Sequence, residues 1–308
     1  MKKLFFLAFT SLATISFAQD DLLSMLDSVQ KPSSNKVFAT FKTTKVINAQ
    51  STETVKKNCL DFHIFHRFGN IGQESGGGFH SLYGWDNIAD VRISFDYGLT
   101  DNMTVGFARS KQNELLDFTF KWRFLEQTTN ESVPITLCLY ENMAITPMTF
   151  TSLYAGTTEN SNAFSDRLSY VNQLIIARKF SSRLSIELLP TYFHRNFVKG
   201  LTNPDNGATQ DNDIFAIGFA ARYKLTKRSA IIVDYFHEVS QYMTGNSQIT
   251  YYDPIAVGWE VETGGHVFHL DLTNASGLNE NNFLTGTTDT WKKGGFKLGF
   301  NISRLFVF

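Results

Sequence analysis

Two pairs of histidines are spaced three residues apart, which invites a metal-binding interpretation. His63 and His66 form one pair, and His266 and His269 form the other. Imidazole nitrogens are common ligands of zinc and other transition metals. The sequence around both pairs alternates and predicts strands, and on a strand residues three apart point to opposite faces. Neither pair can hold one ion, so we predict no metal site and no cofactor.

An acid–base site would need a histidine beside a carboxylate and a nucleophile. His237 is adjacent to Glu238, but neighbouring strand residues also point to opposite faces. His269 and Asp271 are the one such pair that shares a face, and no G-x-S-x-G motif supplies a nucleophile. We therefore predict that the protein is not an enzyme. An enzyme would require a nucleophile beside His269 and Asp271.

The composition points to strands that carry many aromatic side chains. The chain has 29 Phe and 11 Tyr but only 6 Pro among 308 residues, and aromatic residues favour strands. The formal net charge is −1 and the basic residues are scattered, so no nucleic-acid partner is indicated. Cys59 and Cys138 are the only cysteines, and we favour free thiols over a disulfide. Beyond the first residues no apolar run is long enough for a helical membrane span.

Alternation of apolar and polar residues recurs from residue 58 to the end of the chain. Val91, Ile93 and Phe95 fall on one face of a strand, for example, while Arg92 and Ser94 fall on the other. Repeated segments of about ten such residues are typical of a transmembrane up-and-down antiparallel β-barrel, which is the all-β fold that we predict. The predicted strands are 58–68, 89–99, 103–110, 115–124, 133–142, 167–180, 184–194, 213–225, 229–240, 254–262, 266–273 and 294–308.

The connections between these twelve segments alternate between short and long. Barrels of the outer membrane have short periplasmic turns and longer outer loops. With that assignment, the first strand runs outward and the last runs inward, so we expect both termini in the periplasm. A soluble sandwich would have no reason to sort its connections in this way. The sequence therefore predicts a multi-pass barrel of the cell outer membrane, in contact with its lipids.

The first eighteen residues resemble a cleavable secretory signal. Lys2 and Lys3 precede an apolar stretch, and Ser16-Phe17-Ala18 offers a cleavage site. We accordingly expect a signal peptide at residues 1–18.

Between the signal and the barrel, we expect residues 19–57 to form a periplasmic or lumenal segment, followed by the barrel at 58–308. An amphipathic pattern at 20–29 predicts a short helix. Residues 37–47 also alternate and would add a thirteenth strand. Because an odd number breaks the parity, we predict that 37–47 lies in the lumen or pairs at the rim. A barrel of fourteen strands is the alternative.

The carboxyl end carries an alternating row that closes on a terminal aromatic residue. Its members include Phe300, Ile302, Phe306 and Phe308. Such a row resembles the element by which outer-membrane proteins engage their assembly machinery. We therefore expect these four residues to act as an assembly signal, with that machinery as a partner during biogenesis.

Charged residues occupy many positions opposite the apolar rows. Both signs are present, and buried charges need partners, which favours ion pairs that brace a narrow interior. A hydrated pore with the two signs on opposite walls is the alternative. The lumen-lining candidates are Arg92, Asp96, Asp117, Lys121, Arg123, Glu187, Arg222, Asp234, Glu260, Asp271 and Lys297.

Two blocks of sequence resemble a known family. The first runs from Lys56-Lys57 through Leu60-Asp61-Phe62-His63 to Arg67-Phe68-Gly69, and the second is Asp96-Tyr97-Gly98-Leu99-Thr100-Asp101-Asn102. Together they are similar to an uncharacterised outer-membrane β-barrel family of Bacteroidota, a domain of unknown function. The resemblance covers nearly the whole mature chain and implies one barrel in the outer membrane. It implies no activity and no site residues.

Two functions are consistent with these features. The first is a narrow channel for the passive passage of small solutes, with the long loops restricting its mouth. The second is a closed structural or interaction barrel that binds an envelope protein through its loops or its periplasmic tail. Twelve strands lie between the eight that side chains can fill and the sixteen that leave an aqueous channel, so size does not decide between them.

Overall fold

Twelve antiparallel strands close into one barrel in the computed structural model, which describes residues 35–157 and 162–308. The signal peptide and the helix predicted at 20–29 lie outside the described residues. The strands are β1 (Cys59–Asn70), β2 (Ile88–Thr100), β3 (Met103–Ser110), β4 (Leu116–Leu125), β5 (Thr136–Ile145), β6 (Leu168–Lys179), β7 (Leu184–Arg195), β8 (Asp213–Lys224), β9 (Ser229–Val239), β10 (Ile255–Thr263), β11 (His266–Thr273) and β12 (Lys297–Val307). The prediction of a twelve-stranded up-and-down barrel is confirmed.

The first and last strands close the sheet. β1 pairs with β12 from Cys59 opposite Val307 to Arg67 opposite Gly299. Every strand therefore has a hydrogen-bonded neighbour on both sides, and the barrel has no open edge. In hydrocarbon this closure is required, because no water is present to bind the peptide groups of an edge strand.

Successive residues of each strand face the lumen and the outside in turn. In β5, for example, Cys138, Tyr140 and Ala144 are buried in the lumen, while Leu139 and Met143 face outward. Aromatic side chains are abundant on the outward rows, where they remain exposed within the isolated chain. They include Phe95, Phe107, Phe118, Trp122, Phe215, Phe219 and Trp259. This outward surface is the one that lipid would cover.

The connections sort onto two ends, as predicted. One end, here called the turn end, carries the connections 101–102, 126–135, 180–183, 225–228 and 264–265. The other, the loop end, carries 71–87, 111–115, 146–167, 196–212, 240–254 and 274–296, with the short helices α1 (Phe150–Leu153) and α2 (Glu280–Gly286). Phe308 N–H donates to the Asn58 carbonyl at 3.1 Å, which places the last residue at the turn end. Of the helices in the described ranges, none is long and apolar enough to cross a membrane.

Candidate functional site

The lumen contains the segment that precedes the first strand. At the turn end, Val37 N–H donates to the Gln127 carbonyl at 2.7 Å. Residues 41–52, here called the lumen hairpin, then enter the barrel and fold back, with Val46 N–H donating to the Ala49 carbonyl at 2.8 Å. The chain leaves at the same end, where Lys57 N–H donates to the Asp101 carboxylate at 3.1 Å. The stretch 37–47 is thus not a thirteenth strand.

The tip of the lumen hairpin is bound by one carboxylate of the barrel wall. Asp234 Oδ2 accepts hydrogen bonds from the backbone N–H groups of Ile47 at 3.2 Å, Asn48 at 2.6 Å and Ala49 at 3.1 Å. Asp234 Oδ1 accepts a fourth from Asn48 Nδ2 at 2.9 Å. Successive backbone N–H groups in a tight turn form a concave anion-binding nest, and here the anion is a side chain of β9. All four residues are buried.

Arg67 joins the lumen hairpin to a second segment that enters from the loop end. This segment, here called the inward loop, comprises residues 274–287 and includes α2. Arg67 Nη2 donates to Asn48 Oδ1 at 2.6 Å, and Arg67 Nη1 donates to the Ala275 carbonyl at 3.1 Å and the Gly277 carbonyl at 2.6 Å. The guanidinium is almost wholly buried. Its fixed fork of donors suits this three-way contact.

Direct contacts also connect the lumen hairpin with the inward loop. Lys45 Nζ donates to the Leu278 carbonyl at 2.8 Å and lies 3.8 Å from the Glu280 carboxylate. Gln50 Nε2 donates to Glu280 Oε1 at 3.1 Å. Burial lowers the pKa of Lys45 to about 8, although Glu280 opposes this shift. The two segments therefore meet inside the barrel and fill it from both ends.

One side of the lumen is apolar, which is unusual for a channel. Ile175, Leu189 and Ile232 point inward from β6, β7 and β9 and pack in one cluster with Ile47 of the lumen hairpin. Phe283 of the inward loop packs on the Phe236 ring with centroids 5.0 Å apart. These side chains are at most 1% exposed, so water is excluded from this half of the interior.

Glycines on the inner face of this wall make room for the larger side chains. A Cβ atom on Gly218 would lie 2.5 Å from the Phe236 ring, and one on Gly258 would lie 3.1 Å from Ile47 Cδ1. Real Cβ atoms essentially never show contacts as short as the first. Gly218 is therefore required by packing.

The other side of the lumen is charged and braced by hydrogen bonds. Arg92 and Asp117 form a bidentate pair, with Arg92 Nη2 2.6 Å from Asp117 Oδ1. Lys121 Nζ donates to the carbonyls of Thr44 at 2.7 Å and Ser51 at 3.0 Å, both in the lumen hairpin. The cavity left between the hairpin and this wall measures about 30 Å³, which has room for only a water molecule or two.

A further cluster of charged side chains lies nearer the turn end. Arg222 donates to Glu260 Oε1 from Nη2 at 2.6 Å and from Nε at 2.9 Å. His269 Nε2 lies 3.3 Å from Glu260 Oε2 on the neighbouring strand. His269 and Asp271 both face inward, as the alternation predicted, but the neighbours of His269 here are structural charges.

All eleven lumen-lining candidates lie on inward-facing positions. Eight are buried: Arg92, Asp117, Lys121, Glu187, Asp234, Glu260, Asp271 and Lys297. The other three, Asp96, Arg123 and Arg222, are partly buried. Several make ion pairs, including Arg92 with Asp117 and Lys297 with Asp289 at 2.6 Å. Three of the eleven contact the lumen hairpin directly: Asp234 and Lys121 through the bonds described above, and Glu187 at the backbone of Thr52.

Arg67 is not among the residues predicted from the sequence to line the lumen, although the pattern of β1 indicates it. With Leu60, Phe62 and Ile64 facing outward, the alternation of β1 places Arg67 on the inner face. The polar residues of the lumen hairpin and inward loop, such as Asn48 and Glu280, carried no such signal, because neither segment is a strand.

The remaining residues singled out from the sequence lie apart from this site. His63 faces the lumen, 2.7 Å from Asp61, whereas His66 stacks on Phe300 outside the barrel. In the described part of the chain, no three His, Cys, Asp or Glu side chains are grouped to hold a metal. Cys59 and Cys138 are free and buried.

At the carboxyl end, Phe300, Ile302 and Phe306 lie on the outward row of β12, and Phe308 follows the strand. Their role as an assembly signal stays a prediction.

Comparison with known families decides where the chain belongs. Residues 41–306 match the family described as "Membrane bound beta barrel domain (DUF5777)". The chain belongs to this family. The match begins with the lumen hairpin and ends in β12, so the hairpin is part of the family's domain. The prediction of an outer-membrane barrel of an uncharacterised family is confirmed.

Several solved porins and outer-membrane proteins are similar in outline. The NanC porin is 7% identical, with 81% of this chain and 99% of that chain covered and a TM-score of 0.46. The KdgM porin is also 7% identical, with the same coverages and a TM-score of 0.44. The outer membrane protein Omp33 of Acinetobacter baumannii is 8% identical, with coverages of 83% and 100% and a TM-score of 0.38. Among curated proteins, no match was found.

Proposed function

We propose that this family member is a plugged channel of the outer membrane that passes small solutes passively when the lumen hairpin moves. In this proposal the turn end faces the periplasm. The supporting observation is that the part of the lumen not occupied by the inward loop holds a hairpin that is tethered at both ends to the turn end and whose tip is bound by Asp234. A hairpin held in this way can leave the lumen without breaking any strand pairing of the barrel.

The polar contacts of the hairpin can be exchanged for contacts with water. The hydrogen bonds from Lys121 to Thr44 and Ser51, and those from the tip to Asp234, can be replaced by bonds to water once water enters. Such replacement makes the net free energy of each bond small compared with its gross strength. Movement toward the turn end is opposed both by the bonds to the buried Asp234 carboxylate and by the apolar contacts of the hairpin.

The solute class follows from the wall that the hairpin covers. Removal of the hairpin would uncover Lys121, on the same strand as Asp117 of the Arg92–Asp117 pair, and Asp234 on β9 across the lumen. Both signs of charge would therefore line the open lumen, and pores lined by rings of one sign are the ones that select strongly by charge. Small neutral or zwitterionic solutes fit this lining best.

A closed scaffold is the second candidate, and the apolar half of the lumen favours it. Phe41, Val46 and Ile47 of the hairpin are at most 2% exposed. Exposing a large apolar side chain costs about 1.5–3 kcal/mol. If this cost holds the hairpin in place permanently, the protein serves as an interaction barrel, and its loops or periplasmic tail bind an envelope protein.

Single-channel recording in planar bilayers separates the two functions. The informative variant replaces residues 41–52 by a Gly-Ser linker of equal length. The matched control replaces residues 199–210, in the loop-end connection between β7 and β8, by the same linker. A channel predicts rare openings in the wild type, sustained conductance in the hairpin variant and wild-type behaviour in the control.

Folding of each variant is checked by the β-sheet signal in circular dichroism. Because replacement of a whole hairpin is drastic, Asp234→Asn provides a second variant that keeps every hairpin residue. If both variants are folded and neither conducts more than the wild type, passive solute passage is wrong and the closed scaffold is favoured.

A further inference from the structure

A carboxylate interrupts the outward row of β5 at mid-height. Glu141 is the sixth of the ten residues in β5, and it lies between Leu139 and Met143 on the face directed away from the lumen. The strand spans the barrel wall, so Glu141 lies near the centre of the membrane. Ionisable groups at that depth on a lipid-facing surface are costly, and their presence indicates a functional contact.

Polar groups surround Glu141 on the same outer surface. Glu141 is directly opposite Asn172 of β6, and Asn172 is in turn opposite Tyr192 of β7. Tyr170 lies one outward position above Asn172. Larger side chains border this group, with Phe118 and Phe120 on one side and Tyr192 and His194 on the other. The result is an outward recess with a polar floor and a largely aromatic rim, here called the wall recess.

Within the described residues, no hydrogen bond or ion pair is formed by the side chains of Glu141, Asn172 or Tyr170. This contrasts with the outward pair at the loop end, where His194 Nδ1 lies 2.7 Å from Asp213. The floor of the wall recess therefore offers an acceptor, Glu141, and two donors, the Asn172 amide and the Tyr170 hydroxyl. In hydrocarbon, polar groups without partners are strongly unfavourable.

We propose that the wall recess is the contact surface for a second copy of this chain, side by side in the membrane. A two-fold axis along the membrane normal places two such faces opposite one another. With the axis between β5 and β6, strand β5 of one copy faces strand β6 of the other. Glu141 of each copy therefore lies over Asn172 of the other. An isologous interface requires this kind of self-complementarity, in which residue i contacts residue j and j contacts i.

The presence of both an acceptor, Glu141, and a donor, Asn172, on one surface explains why a second copy is the occupant. An acyl chain of a lipid has no donor for a carboxylate. To bind a different protein, this chain would need only an acceptor or only a donor. Its surface instead carries both, Glu141 and Asn172, as paired residues of adjacent strands. The aromatic rims of the two copies would meet around the paired floors and exclude lipid from them, as the rim of an interface excludes solvent.

The wall recess and the lumen lie on opposite sides of the sheet, so association through the recess does not require the proposed channel. A dimer of closed barrels and a dimer of channels would use the same contact. Association can be measured without conductance, so failure of the dimer and failure of the channel are distinguishable.

The test measures the mass of the full-length protein in nanodiscs large enough for two barrels, over a range of protein concentrations. We expect the wild type to be dimeric. Glu141→Leu and Asn172→Leu should each raise the dimer dissociation constant about tenfold or more, since each removes both reciprocal hydrogen bonds. Glu141→Gln keeps an acceptor oxygen and should remain dimeric. Arg304→Leu, a charge removal on the outward face of β12 on the far side of the barrel, is the matched control and should also remain dimeric.

Crosslinking supplies the second readout. Met143→Cys, in a chain whose buried Cys59 and Cys138 are replaced by Ala, should form a disulfide-linked or bismaleimide-linked dimer in the membrane, and Asn172→Leu should abolish it. A wild type that is monomeric at every concentration overturns the proposal. So does a dimer that Glu141→Leu and Asn172→Leu leave intact, or a monomer that purifies with a lipid or another protein bound at the wall recess.

Discussion

Replacement of Asp234 by Asn tests how the lumen hairpin is held. Asp234 Oδ2 accepts three backbone N–H groups, from Ile47, Asn48 and Ala49. An asparagine side chain has one acceptor oxygen and one NH₂ group in place of the two carboxylate oxygens. If its oxygen keeps the contact with Asn48 Nδ2, its NH₂ group faces the three backbone donors, which lose their acceptor. The substitution therefore removes the anion from the nest while changing the side-chain volume very little.

The size of the effect follows from the number of bonds lost. A hydrogen bond to a charged group contributes about 1.5–3 kcal/mol, so three such bonds set an upper limit of about 4.5–9 kcal/mol. Relief of the desolvation cost of a buried carboxylate offsets part of this, which leaves about 3–5 kcal/mol, as for other broken buried charge contacts. Since each 1.4 kcal/mol is a factor of ten, the ratio of bound to released hairpin should fall by roughly a hundredfold to a few thousandfold.

Thiol labelling reports the release directly. Thr52 is fully buried, and among the described residues its hydroxyl has no hydrogen-bond partner, so Thr52→Cys introduces a probe at little cost. In a chain with Cys59 and Cys138 replaced by Ala, Asp234→Asn should speed reaction with a membrane-impermeant maleimide by about the same factor as the equilibrium. Asp205→Asn makes the same exchange in an exposed loop-end connection and should leave the rate unchanged. An unchanged rate for Asp234→Asn would show that the nest does not hold the hairpin.

Three further perturbations test the lumen network. Arg67→Met leaves Asn48 and the inward loop without their shared donor and should lower barrel stability by about 3–5 kcal/mol in denaturant titrations. Asp117→Asn leaves the buried Arg92 guanidinium without its carboxylate partner. It should lower the midpoint temperature of unfolding, which calorimetry measures. Lys45 has a pKa of about 8 in the filled lumen against 10.5 ordinarily, so between these values the released hairpin binds more protons. Raising the pH through this window should therefore lower the open probability in bilayers, by up to about tenfold per pH unit, and Lys45→Met should abolish the dependence.

The barrel wall was predictable because its signal is local and repeated. Alternation fixes which face each residue takes, and all twelve predicted strands overlap observed ones. The largest errors are of three residues, at both ends of β5 and at the start of β12, and those at the two starts have structural causes. Residues 126–135 are drawn into contact with the entering N-terminal chain, where Gln127 pairs with Val37. Before β12, Gly294 adopts a left-handed conformation, so the extended backbone begins only at Lys297.

The contents of the lumen were less predictable, because they depend on contacts between segments far apart in sequence. The only indication in the sequence that residues 37–47 are not a strand of the wall was that a thirteenth strand would give an odd number. Nothing in the sequence of 41–52 indicates that its tip binds Asp234, which is 185 or more residues away. The inward loop was predicted only as a long outer connection, and its burial depends on Arg67 and on the apolar wall beneath it.

The inner rows of β6 to β9 nevertheless carry a signal that points to a filled lumen. Their inward positions include Ile175, Leu189, Ile232 and Phe236, while most outward residues of the same strands are also apolar or aromatic. A water-filled channel has a polar lining, so an apolar inner row requires apolar material against it. A strand that is apolar on both faces within a barrel therefore predicts a plug as well as a membrane. Here Ile47 and Phe283 supply that material, one from each end.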